Sequence, residues 1–172
     1  LAAQWRDTAT WMAPHAKYVA IYRAPFWRGA GLSGDAFSHA GPMGEIHDAG
    51  PSRGTGALFG FLGVPAQARR SIPEEQLRAL CRSQLVRLFG PQAAMPLREW
   101  LQDWSRERWT AVPADASSTG EHGPAPSPRA LTGPWAGRMI GIGSEWSPQF
   151  PGYLAGAIDA ARRGVRWMME AP

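Results

Sequence analysis

The side chains best placed for chemistry lie at opposite ends of the chain: Lys17 near its start, Glu145 and Tyr153 near its end. Of eighteen basic residues, Lys17 is the only lysine and the rest are arginine. A compact amine changes its protonation more readily than a guanidinium, so a lone lysine among arginines raises a chemical question. Glu145 sits in Gly141-Ile-Gly-Ser-Glu-Trp-Ser-Pro-Gln-Phe-Pro-Gly-Tyr-Leu-Ala-Gly-Ala-Ile158. There an apolar strand signal over 138–142 runs into a glycine turn carrying the acid, and Gly152 and Tyr153 open an alanine-rich helix. A strand feeding a helix N-terminus puts backbone N–H groups and the positive end of a helix dipole beside a carboxylate, which suits the polar or anionic edge of a cofactor. The same pattern also reads as a plain β-turn-α connection. Lys17 also reads as a lysine at a strand entrance, reaching water along its aliphatic stem.

Other reactive residues carry less. Cys81, the single cysteine, excludes an internal disulfide framework and falls in an amphipathic helix pattern, where it reads as a buried structural thiol. His39 and His47 lack a third ligand and are weak evidence for metal. The net charge is +4 and the pI about 10.0, yet the arginines form no dense run, so the charge reads as a solvated surface and nucleic acid is not expected as a partner. No window reaches the roughly 18 apolar residues of a membrane span, and the start lacks a signal-peptide pattern, which makes the cytoplasm the expected location.

Several elements must position these residues. Pro14 and Pro25 bracket 16–24, whose β-branched and aromatic residues suit a strand. Period-two alternation sets Lys17, Val19 and Ile21 on one face, partly buried or facing a cavity. Residues 29–63 are glycine-rich and read as an antiparallel meander with strands over 36–40, 44–48 and 56–62. The cleanest helix covers 73–89, with Ser71 able to cap it, Pro73 in the first turn and Gly90-Pro91 as its stop. Leu77, Leu80, Cys81, Gln84, Leu85 and Leu88 are its expected inner stripe. A strand over 96–104 leads to Trp104. Residues 110–134, rich in Pro, Ala, Ser and Gly, read as a long loop. A final helix over 153–169 carries Gly156-Ala157 and Ala160-Ala161, small residues that permit close backbone approach.

Three separated segments, in order, resemble the C-terminal part of the flavin-containing monoamine oxidase family. Lys17, followed by an apolar strand and Ala24-Pro-Phe-Trp-Arg28, resembles the family's lysine strand ending in Glu-Pro-Phe-Trp-Arg. Asp103-Trp104 is similar to its Asn-Trp at the end of a strand. Gly143-Ser-Glu145, then Gly152-Tyr153-x-x-Gly156-Ala157, looks like its Gly-Thr-Glu, short loop and Gly-Tyr-x-Glu-Gly-Ala. The resemblance implies an FAD-dependent amine oxidase that takes a small-molecule amine to an imine by hydride transfer, with oxygen as acceptor. It makes Lys17 and Tyr153 catalytic-site residues: Lys17 would hold a water against flavin N5 and assist reoxidation, and Tyr153 would be one of two aromatics flanking the amine. Trp104, Gly143, Ser144, Glu145, Gly152, Tyr153 and Leu154 would bind the cofactor. Glu145 would lie on the ribityl-pyrophosphate side, and the helix start at Tyr153-Leu154 would face the pyrimidine edge.

The departures set further expectations. The family's flavin-linking cysteine and second cage aromatic would fall near Pro113 and Ala114, so the FAD link is expected to be non-covalent and the cage half present unless Trp109 or Trp146 substitutes. Ala155 stands where an acid is frequent. A Gly-x-Gly-x-x-Gly fingerprint heading a βαβ unit with a downstream acid is not read in the sequence, the spacing at Gly29-Ala-Gly31-Leu-Ser-Gly34 lying within the glycine-rich meander, so the chain is expected to be a fragment, lacking an N-terminal FAD-binding half and binding FAD weakly or not at all alone. The start without methionine, Leu1-Ala-Ala-Gln-Trp-Arg, agrees with that reading. The expected fold is α+β, a mixed, largely antiparallel sheet with covering helices over 1–110, a loop over 111–134, and the last strand and helix of an FAD-binding domain over 135–172. A homo-oligomer is compatible with this. A non-catalytic interaction module on the same scaffold is the competing reading, supported by the lost aromatic and the missing fingerprint.

Overall fold

The computed structural model describes Trp5, Thr8, Thr10, residues 12–113, Asp115 and residues 124–170. Ala114, most of the helix-like start over 1–6 and the 116–123 part of the expected loop lie outside the described residues. The chain divides into two compact units: Pro14–Trp109, and the described residues of Leu1–Ala13 together with Thr110–Pro172.

The first unit is a five-stranded sheet in which every pairing is antiparallel. Its strands are β1 (Ala16–Tyr22), β2 (Ala36–Phe37), β3 (Met43–Asp48), β4 (Gly56–Leu62) and β5 (Arg98–Asp103), in the spatial order β2-β3-β4-β1-β5. The meander read over 29–63 is thus β2 to β4. β2 ends at Phe37; the Ser38 N–H makes a last cross-strand bond to the Gly44 carbonyl at 2.9 Å, and its hydroxyl donates to the Ala40 carbonyl at 2.8 Å as the chain turns.

Alternation gives this sheet one closed and one open face. Ala16, Tyr18, Ala20 and Tyr22 of β1 point into the core with Leu58, Leu62, Met43 and Ile46. Lys17, Val19 and Ile21 point the other way and are only partly covered. The short helices α1 (Phe26–Gly29) and α2 (Ala66–Arg69) and the long α3 (Glu74–Phe89) complete this unit, and the second unit holds the long α4 (Leu154–Glu170). α3 closes the core face with Leu77, Cys81, Gln84, Leu85 and Phe89. Leu80 is a correction: it lies at the edge of the stripe and is 45% exposed, and Phe89 fills the core instead. Ser71 caps nothing; its hydroxyl donates to the Ala68 carbonyl at 2.8 Å, and Pro73 occupies the cap position of α3.

Polar bonds fix the helix on the sheet where apolar contact alone would leave it free to slide. The buried Gln84 amide accepts from the Met43 N–H and donates to the Met43 carbonyl, both at 2.8 Å, acting as an extra rung on β3. Gly41, at φ +105, leaves the space Gln84 fills. Glu99 of β5 accepts from the Tyr18 hydroxyl at 2.6 Å and from Arg82 of α3 at 2.8 Å.

In the second unit, the strand expected over 138–142 is reduced to one antiparallel bridge, Arg129 to Ile140. The Gly141 N–H donates to the Pro128 carbonyl at 2.7 Å, but Pro128 has no N–H to return, so the ladder ends there. A 3-10 turn at Ser144–Trp146 then leads to α4, which buries only Gly156, Ala160 and Gly164. No helix among the described residues is long and apolar enough to cross a membrane.

Candidate functional site

The candidate residues fall in both units. In the sheet unit, Lys17 stands on the open face. Its cross-strand partners are Phe61 on β4 and Gln102 on β5. The ammonium lies 4.5 Å from the Phe61 ring centroid and 5.4 Å from that of Phe59, within cation–π range. Lys17 therefore rests on aromatic rings, neither sunk in the core nor simply stretched into solvent. The two rings meet edge to face at 5.8 Å, and His15 flanks Phe61 at 6.0 Å. Burial first, and then the nearby Arg69 charge, lower the His15 pKa, which favours the neutral imidazole.

Trp104 follows β5 and is 41% exposed, its N–H donating to the His15 carbonyl at 3.1 Å. That bond ties Trp104 to the residue two before Lys17. Sequence reasoning missed the group that fixes this corner. Arg69, 1% exposed, makes a two-point pair with Asp103, Nε to Oδ2 at 2.9 Å and Nη2 to Oδ1 at 2.8 Å. It also donates to the carbonyls of Val64 and Pro14 at 2.5 and 2.6 Å. One guanidinium thereby joins the lead into β1, the exit of β4 and the end of β5. Burial alone would raise the Asp103 carboxyl, but the Arg69 and Ser105 hydrogen bonds outweigh it and hold the pKa low. An arginine in a short run after a strand carries no sequence signal for this role; Asp103 beside Trp104 was the only hint.

The Pro25-Phe-Trp-Arg28 segment is architectural. Trp27 is fully buried and donates to Asp48 at 2.8 Å, while Arg28 grips Asp48 at 2.7 and 2.9 Å and reaches the Pro51 and Gly50 carbonyls of the β3–β4 turn. Gly56 must be glycine for this packing, since a Cβ there would stand 2.7 Å from the Trp27 ring. Cys81 is buried and its thiol is pushed up to about 12, chiefly by that burial, so it is not a nucleophile. Among the described residues no His, Cys, Asp or Glu cluster suits a metal ion; His39 is exposed and His47 is engaged with Asp35 at 3.1 Å.

In the second unit Gly143, Ser144 and Glu145 form the 3-10 turn and its lead, and the Gly152 N–H donates to the Ser144 carbonyl at 3.3 Å. Gly152 takes φ +79 and turns the chain into α4. The Tyr153 N–H is used inside this turn, donating to the Phe150 carbonyl at 3.2 Å. The Tyr153 ring and the Leu154 side chain, 53% and 88% exposed, stand out at the helix start. The first N–H groups of a helix lack intrahelical acceptors, so α4 begins as a cationic pole beside the Glu145 turn. The seat is tight: a Cβ on Gly156 would lie 1.9 Å from the Phe150 carbonyl oxygen. Trp146 covers Gly141 and meets Trp5 edge to face at 5.1 Å.

Residues 4–169 match the family model for flavin containing amine oxidoreductase. The flavin-containing monoamine oxidase AofH of Mycobacterium tuberculosis is 31% identical over 156 residues, covering 87% of this chain and 32% of that protein. Putrescine oxidase of Kocuria rosea is 34% identical over 128 residues, covering 70% and 26%. Among solved structures, wild-type putrescine oxidase bound to putrescine superposes with a TM-score of 0.68 at 22% identity, over 91% of this chain and 35% of that one. Cyclohexylamine oxidase of Brevibacterium oxydans gives 0.68 at 24% identity. These two show the fold, which is that of amine oxidases. The chain spans about a third of the length of the relatives it matches.

Proposed function

The chain belongs to the flavin containing amine oxidoreductase family, and on that premise we propose that it is the substrate-binding and C-terminal portion of an FAD-dependent amine oxidase, completed by an N-terminal FAD-binding portion. The observation that carries this reading is Lys17: the one lysine of the sequence stands on the open face of the sheet, over Phe59 and Phe61. The donor set at the start of α4 suits a flavin. A pyrimidine edge gathers negative charge on reduction, and the first-turn N–H groups from Leu154 onward, with the helix dipole behind them, favour that charge.

Bound FAD would supply the hydride acceptor, and oxygen the terminal oxidant. The chain's own residues do the rest. The Lys17 ammonium holds a water at the reacting centre, and its positive charge favours the unprotonated form of a nearby amine, the form able to give up hydride. The Tyr153 ring forms one wall beside the substrate, and Trp104 packs near the cofactor. Glu145, with Gly143 and Ser144, accepts hydrogen bonds on the ribityl side, and Gly152 lets the backbone turn close to the ring. Pro113 stands where a linking cysteine would be needed, so the cofactor is held without a covalent bond. A cytoplasmic location belongs to the same reading.

The test is anaerobic mixing of the full-length protein with primary amines. Bleaching of the oxidised flavin band, reversed by oxygen, is expected; no bleaching with monoamines, diamines or amino acids overturns the proposal. The 172-residue chain alone is expected to retain little FAD after gel filtration.

A further inference from the structure

At the far end of α4 the second unit gathers more positive charge than its own acids answer. Arg129, Arg163, Arg166, Trp167 and Glu170 line an open hollow of about 250 Å3. Arg163 and Arg166 sit at i and i+3 of the helix, on one side of it, where like charges repel and cost helix stability. Arg129 comes from outside the helix, placed by its bridge to Ile140, and its guanidinium carbon lies 5.9 Å from the Trp167 ring centroid. Arg163 is held firmly: Nη2 donates to the Trp146 carbonyl at 2.7 Å and stands 3.2 Å from Asp159 Oδ2. Its Nε is buried and meets no acceptor among the described residues. Arg129 and Arg166 have no acid within ion-pair distance among the described residues, although Glu170 lines the same hollow. A fold that sets three guanidiniums around one space and leaves donors on them unused is built to receive an oxyanion.

We infer that this hollow is a phosphate-binding site, taking the phosphate monoester of a small metabolite or of a phospholipid headgroup. Guanidinium forks match phosphate oxygens two at a time, which a lysine cluster would not do. With three arginines and one glutamate the lining carries a net +2, Asp159 drawing on Arg163 from outside it. A phosphate monoester carries about −1.5 to −2 near neutral pH and comes close to balancing that lining. A single carboxylate would leave half of it unanswered. The site is separate from the helix start at which a flavin edge is proposed. At 1.5 Å of rise per residue, Arg163 and Arg166 lie roughly 13 and 18 Å along α4 from Leu154. The inference therefore stands apart from the amine oxidase reading.

The experiment titrates the full-length protein, with its flavin bound, against inorganic phosphate and glycerol 3-phosphate by calorimetry at low salt. In a parallel arm the protein is sedimented with phosphatidylcholine vesicles, with and without phosphatidic acid. A Kd below about 1 mM is expected for the free phosphates if the source is a metabolite. Retention by phosphatidic acid vesicles alone, with the free phosphates silent, assigns the headgroup. Arg129→Gln and Arg166→Gln should each weaken whichever binding is seen by about tenfold, as loss of one charge-assisted contact requires. Both side chains are exposed, so the core does not depend on them, and flavin absorbance and melting temperature should stay at wild-type values. Silence in every arm with the wild type overturns the inference, a result that needs no variant. So does binding that both variants leave unchanged, or loss of flavin from either variant, which would give the hollow to the cofactor. None of these outcomes bears on amine-driven flavin bleaching, which tests the other reading.

Discussion

Arg69 and Asp103 face each other through two parallel hydrogen bonds of 2.9 and 2.8 Å, with side chains 2% and 9% exposed. Two more Arg69 donors go to the Val64 and Pro14 carbonyls, so the pair is a buried, multiply bonded charge at the corner that carries both Lys17 and Trp104. Removing one partner leaves the other charge without compensation. Arg69→Met is therefore expected to lower unfolding stability by about 3–5 kcal/mol. Adding Asp103→Asn to that variant should recover a clear part of the loss, because the orphaned charge is then gone. Urea unfolding of the single and double variants checks this; a single variant within about 1 kcal/mol of wild type, the size of an ordinary substitution, would show that the corner is held by other means.

Stability should decline in two steps on acidification. His15 has a lowered pKa, so the native state binds its proton less readily than the unfolded chain, and its contribution is lost as pH falls from about 6.5 downward. Asp103 and Asp48 are also lowered: burial alone would raise them, but hydrogen bonds from Arg69 and Ser105, and from Arg28 and Trp27, prevail. Their contributions are complete above the unfolded value near 3.9 and are lost as pH falls below it. Urea midpoints measured from pH 7 to pH 3 should show both declines, and Asp103→Asn should flatten the lower one. A midpoint that rises below pH 4 would contradict the assignment.

Much of the sheet was legible in the sequence because β1, β4 and β5 alternate with period two. β4 begins and ends where alternation and the flanking glycines place it, and β1 stops only two residues before Ala24. α3 was legible from its apolar spacing and its Pro73 and Gly90 boundaries. What was not legible depends on partners distant in sequence. Leu80 has nearly the right spacing for the core, yet it lies at the edge of the stripe and stays exposed, while Phe89 is buried. The segment over 138–142 is apolar enough for a strand, but a strand exists only as far as a neighbour can return hydrogen bonds, and Pro128 cannot. Arg69 meets Asp103 across 34 residues, a pairing that local pattern does not encode. For the proposed site, Lys17, Trp104 and the Glu145-to-Leu154 segment came from motif resemblance, while Phe59 and Phe61 beside Lys17 emerge only once strand register is known.

The glycines of α4 are not equivalent, and two alanine substitutions should separate them. Alanine is favoured over glycine inside a helix by about 1 kcal/mol when space permits. At Gly164 the nearest atom to an added Cβ is the end of the Ile142 side chain, at 2.5 Å, which can rotate away. At Gly156 it is the Phe150 backbone carbonyl, at 1.9 Å, which cannot move without breaking the turn that carries Tyr153. Gly156→Ala is expected to destabilise by about 1–3 kcal/mol and Gly164→Ala to be near neutral. Thermal melts of the two variants decide the matter, and equal melting temperatures would mean that α4 is not seated on the Phe150 turn.

Lys17 offers the sharpest kinetic test. Lys17→Met keeps the length of the stem, and its thioether can still lie on Phe59 and Phe61, so the sheet should remain folded. What disappears is the ammonium, and with it the water it is proposed to hold and the positive charge at the reacting centre. In the full-length flavoprotein, stopped-flow traces should show reoxidation by oxygen slowed by at least about tenfold, equivalent to roughly 1.4 kcal/mol of barrier. Reduction by amine should slow much less, because hydride transfer depends on substrate geometry and only indirectly on the Lys17 charge. If both half-reactions proceed at wild-type rates, Lys17 is an ordinary surface lysine resting on two aromatic rings, and the role assigned to it is wrong.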